Sequence, residues 1–387
     1  MGFIMVPKQI VILGGGAGGL VAANELRKKL GTEHRIVVID KNSKHVFQPS
    51  LLWLMIGQRK PEKIQKELSL LTRKGIEFIN DEVKEISISE KSVKTGKGAI
   101  NFDYLIISLG ADLAAESIKG LKESGFNLYS IDSVSKLGKE LEKFTDGKIV
   151  VLIAGTPFKC PAAPYEAAML LDYYFKKKGI REKIDLEVCT PETLPMPAAG
   201  PEVGNGLKMM LEERNIKFSP EVKVISVDPK KKTINFEGSK NAGFDLLLFV
   251  PPHSAPRVVR DADLTNESGW VPVDMKTLRT RHENVFAIGD ITAIKLSDGK
   301  MLPKAGVFAH FQAEVISNNI AAEILGLKSL KEFNGYGFCF VEIGHGKAAY
   351  GGGNFYAEPR KINLKGPNII LHWAKVLFEK YWFWKWF

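Results

Sequence analysis

The sequence predicts an α/β protein of two three-layer domains, each a parallel sheet between helices, and three observations predict it. The first is a strand–glycine turn–helix–strand succession, "QIVILGGGAGGLVAANELRKKLGTEHRIVVID", residues 9 to 40. The second is another apolar run entering a turn, "KIVVLIAGTPFKCPAAPYEAAML", residues 148 to 170. The third is a pair of strand-like runs ending in small residues, "NFDYLIISLGA" (101 to 111) and "TRHENVFAIGD" (280 to 290). A chain of 387 residues exceeds one ordinary domain, and 45% apolar content with 36 glycines suits many tight turns between strands and helices.

Composition excludes several classes. No run of 18 or more apolar residues occurs, so no membrane-spanning helix is expected. The opening "MGFIMVPKQIVILGGG" enters a strand directly and has no cleavage-site pattern, so no signal peptide is expected and the cytoplasmic face is favoured. Three cysteines without zinc spacing make neither a disulfide scaffold nor a metal site. The formal charge is +10, but the 54 basic residues are scattered and no nucleic-acid recognition module is present. An anionic cofactor or an anionic membrane surface accounts for that charge equally well.

At the N-terminus, Gly14-x-Gly16-x-x-Gly19 sits between the apolar run Ile10 to Leu13 and a helical stretch, Leu20 to Leu30. Gly14 permits a tight turn, Gly16 lets a pyrophosphate approach the backbone, and Gly19 allows helix and strand to pack closely. The helix N-terminus offers unpaired N–H groups to phosphates. Asp40 ends the next strand 21 residues beyond Gly19, where a carboxylate accepts ribose hydroxyls and disfavours a 2′-phosphate. Together these elements predict a bound dinucleotide.

The strand turns at Gly110 and at Gly289-Asp290 give the sequence its resemblance to the two-dinucleotide-binding flavoproteins, in which the aspartate of a Gly-Asp pair binds the FAD ribityl chain. The resemblance implies FAD and two Rossmann-like domains of the disulfide-reductase type. Residues 1–110 and 270–325 would form the FAD domain, 111–269 an inserted second domain, 326–366 a C-terminal region, and 367–387 an amphipathic membrane-associating segment.

The second domain should carry a further glycine fingerprint if it held a nicotinamide nucleotide. It reads Ala154-Gly155-Thr156-Pro157-Phe158-Lys159-Cys160-Pro161, and prolines without N–H donors cradle pyrophosphate poorly. Cys339 lies in "GYGFCFVEIGHGKAAYGG", and "LPKAGVFAHFQAEVISNNIAAEI" at 302 to 324 precedes it. With these features the chain resembles the sulfide:quinone oxidoreductases, related to the flavoprotein of flavocytochrome c sulfide dehydrogenase. The resemblance implies that Cys160 and Cys339 meet beside the flavin, Cys160 as persulfide carrier and Cys339 as the thiolate attacking the flavin. It also implies a proton-handling role for Glu166, flavin contacts from Lys304 and Gly306, and sulfide and a membrane quinone as reactants, with a homo-oligomer left open. The loop "KHVFQPSLLWLMIG" has no cysteine for a covalent link, so FAD is expected to be non-covalent. Simpler readings stand beside these: unpaired structural cysteines, a Glu166 that only complements a helix dipole, and a Lys304 solvated in a loop. Cys189, in a strand-like run, reads as a buried apolar thiol, and His345 as a surface residue, while His310 falls in the expected flavin or quinone neighbourhood.

The chain ends in "PNIILHWAKVLFEKYWFWKWF". At helical spacing, Ile370, Trp373, Leu377 and Trp384 form one apolar surface, with Lys375, Glu379, Lys380 and Lys385 as breaks and polar anchors. That pattern suits a monotopic helix lying in the bilayer surface. The functional expectation is a peripheral membrane flavoenzyme oxidising sulfide and reducing quinone. A sulfide dehydrogenase with a cytochrome acceptor and a type II NADH:quinone oxidoreductase are the alternatives.

Overall fold

The computed structural model describes residues 6–328 and 330–387. Two five-stranded parallel sheets organise it. In the first, the order is Val285–Ala287, Tyr104–Ile107, Gln9–Leu13, Arg35–Asp40 and Glu77–Asn80. In the second it is Phe126–Asn127, Leu246–Val250, Gly147–Ile153, Ile184–Cys189 and Ile216–Ser219. The central strands are unbroken apolar runs, as a sheet covered on both faces requires. Ile10 to Leu13 and Ile149 to Ile153 are all buried.

Each sheet has a three-stranded antiparallel companion, at Val83–Ser87, Ser92–Thr95 and Gly98–Asn101 for the first and at Val224–Asp228, Thr233–Phe236 and Asn241–Gly243 for the second. The two halves thus repeat one plan. They are joined by two crossings that pair with each other, Asp112–Leu113 against His253–Ser254.

The helix Ala17–Leu30 packs along the long helix Gly306–Ile324, whose Ser317 Oγ donates to the Ala22 carbonyl at 3.3 Å. A third sheet, Tyr336–Gly344, Lys347–Asn354 and Lys361–Asn368, leads into the terminal helix Ile369–Trp386. Asn368 caps that helix by accepting a hydrogen bond from the Leu371 N–H. Among the described residues, no helix is long and apolar enough to cross a membrane.

Candidate functional site

The N-terminal turn has the geometry its glycines predict. Gly14 has φ +99°, and a Cβ there would lie 2.4 Å from the Ser108 carbonyl oxygen. A Cβ on Gly19 would lie 1.8 Å from the Gly14 carbonyl oxygen, so helix and turn touch backbone to backbone. Gly16 is different: no atom lies within 4 Å of where its Cβ would be, which leaves open space at the helix N-terminus. Gly16 is also the N-cap and supplies no side-chain partner to the first N–H groups. Asp40 closes the turn from the adjacent strand. Its Oδ2 accepts the Gly15 N–H at 2.7 Å and its Oδ1 the Asn42 N–H at 2.7 Å. Oδ1 also accepts the Asn42 side-chain amide at 3.1 Å, so the carboxylate braces the turn and one lone pair of Oδ2 remains for a ribose hydroxyl.

The Gly-Asp turn lies across the sheet. Gly289, at φ +75°, donates its N–H to Gln312 Oε1 at 2.7 Å. Asp290 Oδ1 is buried without a hydrogen-bond partner, and burial holds the carboxyl above its ordinary range against the charges of Lys159 and Lys304. Lys304 is buried, which corrects the solvated-loop alternative. Its Nζ donates to the Asp290 carbonyl at 2.5 Å and lies 3.4 Å from the Trp270 ring centroid. Burial brings its pKa down to about 8. Gly110, at φ +66°, faces open space, and Gly306 opens its helix beside Ala17. An open cradle, an orphaned carboxylate oxygen and a buried lysine fit a flavin dinucleotide.

The second turn departs from the first in length. Three residues, 14 to 16, separate Leu13 from the first helix, whereas nine, 154 to 162, separate Ile153 from the helix Ala163–Lys177. Cys160 occupies this longer turn at φ +48°. Its N–H donates to the Lys304 carbonyl at 2.7 Å, tying the cysteine turn to the Gly-Asp region, and its own carbonyl accepts the Ala163 N–H. Tyr129 Oη donates to the Lys159 carbonyl at 2.6 Å and holds the turn from the other side.

Cys339 lies on the strand Tyr336–Gly344, and all three cysteines are free thiols. Pro161, next to Cys160, and Cys339 line one cavity, and the charges of Glu166 and Lys375 bear on both thiols. Burial raises both thiols, Cys339 to about 11, with the Glu166 charge adding to it and Lys375 opposing it. Glu166 is buried in the first turn of its helix and accepts a hydrogen bond from Lys375 Nζ at 2.5 Å. Burial raises its carboxyl to about 7 while Lys375 holds it down. Cys189 is buried in the second sheet away from this group, packed with Val150, Leu152 and Phe249. His345 is exposed. His310 stands beside Trp382 and Trp386 of the terminal helix.

The terminal helix corrects one expectation. Lys375 and Glu379 are not polar anchors; they are 3% and 1% exposed and face the protein. Glu379 accepts hydrogen bonds from Ser50 Oγ and, at 2.9 Å, from Arg59 Nε, while His372 Nδ1 lies 3.0 Å from the buried Glu342 carboxylate. Buried partners, with charge opposite charge, make that burial tolerable. The opposite face exposes Ile370, Trp373, Leu377, Tyr381 and Trp384. Sequence reasoning therefore missed Lys375, Glu342 and His372. The spacing 372, 375, 379 marks one helix face, but nothing local says that it turns inward.

This architecture, two Rossmann-like α/β domains with an FAD-type cradle in the first, defines a flavoprotein oxidoreductase of the disulfide-reductase class. The family model for pyridine nucleotide-disulphide oxidoreductases matches residues 8–313. A mitochondrial sulfide:quinone oxidoreductase of Mus musculus is 29% identical over 91% of this chain and 79% of its own. The Dictyostelium discoideum counterpart is 30% identical over 88% and 76%. The solved structure of the Aquifex aeolicus sulfide:quinone oxidoreductase superposes with a TM-score of 0.88 at 26% identity, covering 98% of this chain and 91% of that one. The chain belongs to the sulfide:quinone oxidoreductase family.

Proposed function

We propose that this protein oxidises sulfide at Cys160 and Cys339 and passes the electron pair through FAD to a membrane quinone. The observation that carries the reading is the second turn, where a nine-residue segment holding Cys160 stands in place of a nucleotide cradle and its Pro161 lines one cavity with Cys339. Hydrosulfide attacks a sulfur of the oxidised cysteine pair; the S–S bond breaks, Cys160 keeps the incoming sulfur as a persulfide, and Cys339 leaves as a thiolate. Lys375 offsets the negative charge that appears on Cys339. Glu166, with a carboxyl near pH 7, exchanges the proton released as the persulfide re-forms a bond to Cys339. FAD supplies the two-electron acceptor and the return path to quinone. Gly14, Gly16, Gly19, Asp40, Gly110, Gly289, Asp290, Lys304 and Gly306 hold it without a covalent link.

Rival donors and acceptors meet specific obstacles. NADH lacks a glycine cradle at residues 154 to 162, where Pro157 and Pro161 supply no N–H and nine residues precede the helix. A soluble cytochrome would leave unexplained the outward stripe from Ile370 to Trp384. The stripe suits a monotopic contact with lipid, from which quinone is collected. Purified enzyme is expected to reduce a short-chain quinone with sulfide and not with NADH; NADH-driven turnover would sink the reading. Leu377→Glu is expected to weaken flotation with anionic vesicles several-fold, because it puts a charge in the middle of the stripe. Unchanged flotation would argue against bilayer contact. In this reading residues 1–110 and 270–325 form the FAD domain around a second domain at 111–269.

A further inference from the structure

The terminal helix reaches the nucleotide turn as well as the cysteines. Trp382 is buried and donates its indole N–H to His45 Nε2 at 3.0 Å. Indole nitrogen only donates, so His45 Nε2 accepts and Nδ1 carries the proton. That proton goes to the Gly15 carbonyl, 2.9 Å away. The same residue's N–H is held by Asp40. Gly15 is thus fixed on both sides, by a strand and, through His45, by the terminal helix. Because a trans peptide is planar, fixing the Gly15 carbonyl also fixes the Gly16 N–H, which points the other way. That N–H lies in the turn that leaves open space at the helix N-terminus.

Further contacts seat the helix on the same domain. Asn24 Nδ2, on the helix that begins at the glycine turn, donates to the Trp386 carbonyl at 3.3 Å, and Lys74 Nζ donates to the Lys385 carbonyl at 3.1 Å. Phe47 packs its ring against Phe378, Trp382 and Phe383. Burial keeps His45 neutral, its pKa lowered to about 4, so both ring nitrogens stay committed to these partners at neutral pH.

We propose that Trp382 and His45 are positioning residues for the flavin nucleotide, coupling the seating of the terminal helix to FAD retention. This rests on the FAD reading above. Linkage makes the coupling reciprocal: a seated helix tightens FAD binding, and bound FAD holds the helix down.

The test compares FAD release, followed by flavin fluorescence, with hydrogen exchange across 369–386 in apo and FAD-loaded protein. Trp382→Phe keeps an aromatic ring but loses the donor, and is expected to release FAD about tenfold faster, the scale of one lost buried hydrogen bond. Trp384→Phe, on the outward face, should match wild type. His45→Gln keeps one acceptor and one donor and should restore most of the retention that His45→Leu loses, a rescue that mere packing would not give. FAD should protect 369–386 from exchange. Wild-type release from Trp382→Phe, or equal protection with and without FAD, would overturn the coupling alone. A wild-type protein that takes up no FAD would overturn both the coupling and the cofactor assignment.

Discussion

Replacing Cys160 or Cys339 with serine is expected to slow sulfide-driven flavin reduction at least tenfold while FAD remains bound. A serine hydroxyl neither forms the S–S bond that sulfide attacks nor carries a sulfane sulfur. A tenfold loss corresponds to ~1.4 kcal/mol of transition-state stabilisation. Neither cysteine belongs to the glycine turn or the Gly-Asp turn, so cofactor occupancy should survive. Cys189→Ser is the internal control. That thiol is buried in the second sheet, raised to about 12 by burial, and should affect stability without touching the half-reaction. Anaerobic stopped-flow reduction, normalised to bound flavin, checks all three variants.

The second large effect concerns Lys375. In Lys375→Met the Glu166 carboxyl loses the cation that holds it down, so its pKa should rise well above the wild-type value of about 7. Removing one member of a buried pair costs ~3–5 kcal/mol when the other stays charged, so the carboxyl takes up a proton instead. A carboxyl made a tenfold weaker acid is ionised about tenfold less on the acid side of its titration. The rate at neutral pH should therefore fall and its rising limb move to alkaline pH. Sulfide itself ionises in this range, so infrared spectroscopy should follow the carboxyl directly. A protonated-carboxyl band should fade as pH rises through 7 in wild type, fade later in Lys375→Met, and be missing in Glu166→Gln. The sign for stability follows from the same burial. Because the folded-state pKa lies above the ordinary 4.5, Glu166 favours the folded state below that pH, and the contribution is lost as pH rises to about 7. A band with one midpoint in wild type and Lys375→Met would contradict the pairing.

What the sequence made legible was whatever local backbone geometry dictates. Gly14 and Gly19 are glycines because a Cβ would strike a backbone carbonyl, and such demands leave a fixed spacing behind. The second turn was legible by contrast, since two prolines and a cysteine stand where glycines were expected. The proposed meeting of Cys160 with Cys339 rests on family resemblance, because 179 residues of intervening chain have no local meaning. The terminal helix shows where local reasoning stops. Positions 372, 375, 379, 382 and 386 form one face and 370, 373, 377, 381 and 384 another, both at helical spacing. Their fate is decided by partners far away in sequence: Glu166 for Lys375, Arg59 for Glu379 and His45 for Trp382. Assigning that lysine and glutamate to water is reasonable for an isolated helix and fails once those partners are present.

The most direct test of the central claim is a double-mixing experiment on the wild-type protein without oxygen. Sulfide is added first, and a soluble quinone analogue second, while flavin absorbance is followed. The account predicts bleaching on the first mix and recovery on the second, with NADH unable to replace sulfide. Bleaching by NADH with none by sulfide, or bleached flavin that a cytochrome reoxidises and quinone does not, would contradict it.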